Sequence, residues 1–311
     1  MSLIQHYGFS RTFQRKKLTL GLALPFYNHN NQNIPLSHEL ELIQRAENIG
    51  FASLFIRDVP LIYKNVTYKS NGLDPFLYLT YISSQTKKIA LGTGSIVTTL
   101  RHPIHTARAA TTLDRLSNER LLLGVASGDR KFEFPAFKVK EEELSLNFQH
   151  SIETIRSLWK EELPFISNSL LELENSGLQT LPIHKNIPTF ATGYSLQRLE
   201  YLKEHMDGLI FYPQPFQLQK ETAKEWHENN EVFKPFMHPL LINLSKNPKE
   251  MGKPIKGGYR LGRYFLLDFL KACEDGNINH IILSFDTTER TLEDIFEEMG
   301  TFILPYFKPH K

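Results

Sequence analysis

The chain has 311 residues, enough for two ordinary domains at about 150 residues each or for one α/β barrel with insertions. Hydrophobic residues at 41% and charged residues at 23% exclude a disordered, collagen-like or acidic low-complexity protein. Lys and Arg total 36 against 34 Asp and Glu, and a net charge of +2 spread this evenly excludes a nucleic-acid surface.

The single cysteine, Cys273, leaves no disulfide framework and no zinc site built from several thiolates. Its context, FLKACEDG, fits the buried side of a helix. No run reaches the roughly 18 apolar residues that span a bilayer, and the first 21 residues lack the apolar core of a secretory signal. A cytoplasmic protein without membrane attachment is expected. Residues 1–16 form an arm, with Arg11, Arg15, Lys16 and Lys17 expected in solvent, ahead of one domain over 17–311.

Eight short apolar runs bounded by turn residues follow in order: Leu18 to Pro25, Phe51 to Ile56, Ile89 to Val97, Leu121 to Val125, Ile187 to Ala191, Gly208 to Phe211, Phe236 to Ile242 and His280 to Phe285. Several are apolar at consecutive positions, as in strands covered on both faces. After the first, Ser37 is a candidate N-cap, Leu40, Ile43, Ala46 and Ile49 form a stripe, and Gly50 is a left-handed stop. Between Glu143 and Lys160, Leu144, Phe148, Ile152, Ile155 and Trp159 recur at helical spacing toward a core. Near the end, Thr291 and Asp294 resemble a capping box before Leu292, Ile295, Phe296 and Met299. Eight βα units specify a single (β/α)8 TIM barrel. Long connections after strands 4 and 7, the latter holding GGYRLGR, are its insertions.

In such a barrel the site lies where strands end at their carboxyl side. That leaves Pro25, Phe26, Arg57, Asp58, Gly94, Ser95, Thr98, Ser127, Gly128, Asp129, Thr192, Gly193, Tyr194, Ser195, Tyr212, Asn243, Ser284 and Asp286. In PTFATGYSLQRLEYLKEH, Ser195 is placed to cap a helix carrying Leu196, Leu199 and Leu202. Backbone N–H groups and the dipole there would hold a phosphate, with Gly193 allowing close approach and Thr192, Tyr194 and Ser195 donating; an ordinary capped turn is the alternative. The GTG at 92–94 lacks the third glycine of a dinucleotide fingerprint, so Gly92 and Gly94 are expected to let a flat ligand lie on the strand. His102 and His105 flank Pro103, but without a third ligand at useful spacing no metal site is expected. Asp58 is a candidate acid or base, or else a partner for a basic residue. Asp114 and Arg115 are expected to fix helix packing.

The combination GTGSIV, RHP, TLDRLSNERLLLGVASGD and FPAF resembles the bacterial luciferase-like family of flavin-dependent monooxygenases, in an uncharacterised luciferase-type oxidoreductase subgroup. The resemblance implies a single barrel, usually a homodimer, holding reduced FMN, or in some members a deazaflavin, at the carboxyl ends of the strands. It places a cis peptide at Gly94–Ser95 under the flavin ring. It also implies that Ser127 and Gly128 lie near the ring or ribityl chain, and that Thr192 to Ser195 form the phosphate loop.

The chain also departs from the pattern. The luciferase histidine after the second strand is replaced in FIRDVPLIY by Arg57 and Asp58, which argues against light emission from an aldehyde. The arginine after the fourth strand is replaced by Ser127, leaving Arg130, Arg260 or Arg263 to supply positive charge. Phe132, Phe134, Phe137, Phe211 and Phe216 are expected to keep the site dry. The expectation is an FMN-dependent oxidoreductase, FMN being preferred to a deazaflavin, that uses oxygen on a small organic substrate with flavin reduced by a separate reductase. A non-catalytic flavin carrier and a flavin-independent barrel enzyme for a phosphorylated substrate remain the alternatives.

Overall fold

The computed structural model describes residues 5–28, 30, 32–64, 72–230 and 232–310. Strands β1 (Thr19–Leu24), β2 (Ser53–Ile56), β3 (Ala90–Thr93), β4 (Leu121–Ala126), β5 (Thr189–Thr192), β6 (Gly208–Ile210), β7 (Phe236–Leu244) and β8 (His280–Phe285) pair in sequence order, all parallel. The sheet closes where β8 returns to β1, from Thr19↔His280 to Leu22↔Leu283. This is a (β/α)8 TIM barrel, and its strands are buried almost throughout, which is why they carry consecutive and not alternating apolar residues.

One expected strand is interrupted. Ile89 to Val97 divides into β3 and a two-residue strand, Ile96–Val97, which pairs with Val125 and Ala126. Between them the Gly94–Ser95 peptide is cis, and Leu24–Pro25 is also cis. The insertion after β4 contains α5 (Leu144–Lys160) and the ribbon Ile166–Ser167 with Glu172–Leu173. The insertion after β7 is the hairpin Lys253–Ile255 with Gly258–Leu261, whose second strand runs parallel to the end of β7.

The helices follow their apolar stripes, with two shifts. Helix α2 (Leu36–Ile49) starts at Pro35, so Ser37 lies inside the first turn and caps nothing; Gly50 ends it at φ +108°. Its buried face is Glu39, Leu42, Ile43 and Ala46, one position round from the expected stripe, because Leu40 is only half-buried. In α5 Trp159 is fully buried and donates to Ala107 O at 3.1 Å. Thr291 caps Leu292–Glu298 by accepting from Asp294 N–H at 3.3 Å. Cys273 is buried in Arg263–Asp275, and Asp114 is buried against His6 at 3.0 Å.

The amino end of the barrel is closed by the short helix Tyr7–Thr12, whose Phe9 and Phe13 pack with Phe55, Leu122, Phe190 and Met237. Arg11 is half-buried, whereas Arg15, Lys16 and Lys17 are exposed as expected, Arg15 with its guanidinium 5.5 Å over the Phe233 ring. Among the described residues no helix is long and apolar enough to cross a membrane.

Candidate functional site

At the opposite, carboxyl end of the barrel lies a cleft of about 340 Å³, lined from β2 round to the end of β6. It brings together Asp58, Gly94, Ser95, Ser127, Gly128, Thr192, Tyr194 and Ser195, together with Arg57, Asp129 and Tyr212. Gly193 sits within the same β5 turn. Pro25, Phe26, Thr98, Asn243, Ser284 and Asp286 do not line it; Phe26 N–H is bound instead to buried Glu39 at 2.5 Å. Val97, Ala126 and Leu196 line the cleft and carried no chemical signal in the sequence.

The two strand glycines have different reasons. A Cβ at Gly92 would lie 2.4 Å from the Phe55 ring, so this glycine makes room for a core side chain and not for a ligand. At Gly94 the nearest atom to an added Cβ is Phe55 at 3.6 Å, an ordinary contact, and the residue lines the cleft. Bare backbone at this point admits the close approach of a flat group.

The turn after β5 corrects the expected cap. The helix begins only at Leu199, after Arg198, so Ser195 does not cap it. Gly193, Ser195 and Leu196 instead have φ of +54°, +47° and +60°, and the Ser195 hydroxyl donates to Thr192 O at 2.9 Å. Gly193 N–H is taken by Ile210 O at 2.8 Å. The N–H groups of Tyr194, Ser195 and Leu196 have no acceptor among the described residues. Successive N–H groups in such a turn form an anion-binding concavity without a helix dipole. The Thr192 and Ser95 hydroxyls are hydrogen-bonded to each other and tie this turn to the end of β3. Gly193 is needed twice: its φ is left-handed, and a Cβ would lie 2.6 Å from the Tyr212 ring.

Charge in the cleft is mostly matched. Asp58, 5% exposed, takes two hydrogen bonds from Arg101, at 3.0 and 3.1 Å. Arg101 also binds Asp74, at 2.8 Å. Burial opposes ionisation of Asp74, yet Arg101 and the N–H groups of Phe76 and Leu77 hold its carboxyl below the usual range. Arg130 Nε lies 2.9 Å from Glu133, and its Nη2 donates to Asp58 O at 2.7 Å. Burial, and then the Asp129 carboxylate, raise the Tyr212 phenol, while Arg57 lowers it.

Of the arginines proposed from sequence to supply positive charge, only Arg130 lines the cleft. Arg260 is held by Glu250, Glu289 and Asn243 at 2.8, 2.6 and 2.9 Å. Arg263 meets Glu298 at 3.2 Å and lies 4.1 Å over Phe302. GGYRLGR is therefore part of a hairpin knit by ion pairs. Of the expected aromatic cover, Phe134 and Phe211 are buried beside the cleft, with Phe134 near Gly128 and Phe211 5.4 Å from Tyr194. Phe216 packs away from it on Phe269, Phe132 stacks on Tyr63, and Phe137 is exposed. The His102 and His105 rings, 6.0 Å apart, lie in a separate groove with Arg101 and Arg108.

Solved structures share this architecture. The coenzyme F420 dependent tetrahydromethanopterin reductase from Methanopyrus kandleri superposes with a TM-score of 0.73 at 16% identity, covering 94% of this chain and 100% of that one. A monooxygenase from Streptomyces bottropensis gives 0.72 at 14%, covering 93% and 99%. In sequence, the flavin-dependent trigonelline monooxygenase oxygenase component of Acinetobacter baylyi is 32% identical over 123 residues, 39% of this chain and 33% of that protein. The F420-dependent glucose-6-phosphate dehydrogenase of Amycolatopsis mediterranei is 26% identical over 181 residues, 55% and 52%. These matches span between a third and just over half of the relatives' lengths. The profile of the luciferase-like monooxygenases matches residues 18–235, from β1 to the start of β7 and so through every strand end that lines the cleft: the chain belongs to the luciferase-like monooxygenase family.

Proposed function

We propose that the chain is an FMN-dependent monooxygenase that acts with oxygen on a small organic substrate. The observation that carries this reading is the β5 turn, whose N–H groups at Tyr194, Ser195 and Leu196 lack internal acceptors at the edge of a cleft floored by bare backbone at Gly94. A phosphate fits the turn beside Arg130, and a planar ring fits over Gly94–Ser95, near Ser127 and Gly128. When bound, the flavin supplies the two-electron redox chemistry, and with it the reaction with oxygen.

The chain's own residues then bind and orient. The Ser95–Thr192 hydrogen bond fixes the phosphate turn relative to the ring site. Asp58 serves as a positioning residue: its carboxylate holds Arg101 and its carbonyl oxygen holds Arg130. Phe134 and Phe211 exclude water from two sides. We further propose an arm over 1–16 that serves as the floor of the barrel domain over 17–311, a homodimer, and a cytoplasmic location, where the buried thiol of Cys273 stays reduced. A separate reductase as partner is supported by the relative described as an oxygenase component.

The F420-dependent relatives favour a second reading, in which the same cleft takes a deazaflavin. Titration of the purified protein with FMN and with coenzyme F420, followed in the visible spectrum, separates the two. FMN is expected to bind and, after photoreduction, to consume oxygen and oxidise a substrate from an aldehyde, sulfonate and alkane panel. Binding of F420 alone moves the assignment to the second reading. Bound FMN without turnover makes the protein a carrier, and failure to bind either cofactor removes both.

A further inference from the structure

One charged lining group of the cleft has no counter-ion among the described residues. Arg57 follows β2, is exposed at the cleft's rim, and makes no ion pair or hydrogen bond among the described residues. The other charges are engaged: Asp58 by Arg101, Arg130 by Glu133, and Asp129, which is 73% exposed, beside Arg130 at 3.9 Å. An unmatched guanidinium at a cleft is a planar fork of donors that fits a carboxylate.

The position of Arg57 points to the substrate more than to the cofactor. In an eight-stranded barrel the ends of β2 and β6 face each other across the mouth, so Arg57 and Tyr212 lie on opposite sides of it. Both nevertheless line the same cleft, and the Arg57 charge lowers the Tyr212 phenol, against burial and the Asp129 carboxylate, which raise it. The Tyr212 hydroxyl also has no hydrogen-bond partner among the described residues, and its ring closes over Gly193. A ligand touching both residues occupies the cleft that Gly94 also lines, where a substrate would meet a flavin ring. The phosphate turn and Arg130, by contrast, belong to the ends of β4 and β5.

We propose that the reacting substrate is a small organic anion and that Arg57 receives its carboxylate, with the Tyr212 hydroxyl donating alongside. The Asp129 carboxylate also acts on Tyr212, but it is 73% exposed to solvent and lies 3.9 Å from Arg130, which weakens its repulsion of an anion held by Arg57. That the anion reacts rests on the proposed cofactor reading of the cleft, whereas the anion site itself is a property of the protein alone.

The test uses benzoate as probe, benzamide as its neutral counterpart and inorganic phosphate as the competing anion, with calorimetry on the flavin-free protein and again after FMN addition. Benzoate is expected to bind at least about tenfold more tightly than benzamide, the size of one charge-assisted pair. Arg57→Gln should abolish that preference while leaving FMN affinity within about twofold, Arg57→Lys should restore part of it, and Tyr212→Phe should weaken benzoate alone. Equal binding of benzoate and benzamide, or no benzoate binding, overturns the proposal. So does an Arg57→Gln protein that loses FMN and phosphate but keeps benzoate, since Arg57 would then serve the cofactor. If no flavin binds yet benzoate depends on Arg57, the cofactor reading fails and the anion site stands.

Discussion

The Asp58 carboxylate and the Arg101 guanidinium meet side-on, with Nε to Oδ2 at 3.0 Å and Nη2 to Oδ1 at 3.1 Å. Asp58 is 5% exposed and Arg101 29%, so this partner compensates the burial of the aspartate. Arg101→Met leaves that carboxylate buried and unmatched, and should cost about 3 kcal/mol in urea unfolding, at the lower end for a buried pair because the arginine is partly exposed. Asp58→Asn in the same background should recover part of the loss. Equal stability of wild type and Arg101→Met would show that the pair contributes nothing.

Gly193→Ala tests the β5 turn. The new methyl meets the Tyr212 ring at 2.6 Å, and alanine at φ +54° costs a further 1–2 kcal/mol or so. FMN affinity, read from quenching of flavin fluorescence, should fall about tenfold or more. Adding Tyr212→Ala removes the collision but not the backbone cost, so the double variant should regain only part of the affinity. Full recovery would mean that the left-handed conformation is dispensable.

The barrel was legible because parallel strands covered on both faces leave consecutive apolar runs, and each of the eight runs overlaps a strand. The site was legible in outline, since strand ends narrow the candidates before any motif is used. What failed was local. Ser195 has the chemistry of a cap, but the turn spends Ser195 and Leu196 in left-handed conformations and starts the helix at Leu199. Gly92 has the form of a place for a ligand, but Phe55, its register partner on the adjacent strand β2, occupies that space. The links from Arg101 to Asp58 and Asp74 cross 43 and 27 residues. Neither propensity nor periodicity encodes a contact of that separation.

Acid should destabilise the protein through two histidines inside the barrel. Burial lowers His238 to about 4, and burial together with the neighbouring His238 lowers His280 to about 3. His280 is held neutral between the Thr19 and Ser53 hydroxyls, at 2.7 and 2.8 Å. Both folded-state values lie below the unfolded value near 6.5, so below pH 6.5 the unfolded chain takes up protons that the folded chain refuses. Stability is therefore full well above pH 6.5 and is lost as pH falls through 6.5 toward 4 and then 3, by about 2.5 kcal/mol per histidine at pH 4.5. Urea midpoints measured between pH 7.5 and 4.5 should show this slope, and His280→Gln should flatten it by about half. An unchanged slope in that variant would assign the acid sensitivity to other groups.

The amino-terminal helix should be a structural part of the barrel. Phe9 and Phe13 are 3% and 4% exposed, with ring centroids 5.2 Å apart, and Phe13 also lies 5.4 Å from Phe190 and 5.8 Å from His280. Gly8 comes so close to the chain before β4 that an added Cβ would lie 2.8 Å from Arg120 O. Phe13→Ala opens a cavity in a packed floor and should cost about 3 kcal/mol, near the lower end for buried aromatics. It also brings water toward His280, so the acid slope should become shallower in the same variant. Removing residues 1–13 should lower the melting temperature further and expose surface that binds a hydrophobic dye, with the cleft at the far end still able to take FMN at low temperature. A truncated protein as stable as the full chain would reduce the helix to a passenger on the barrel floor.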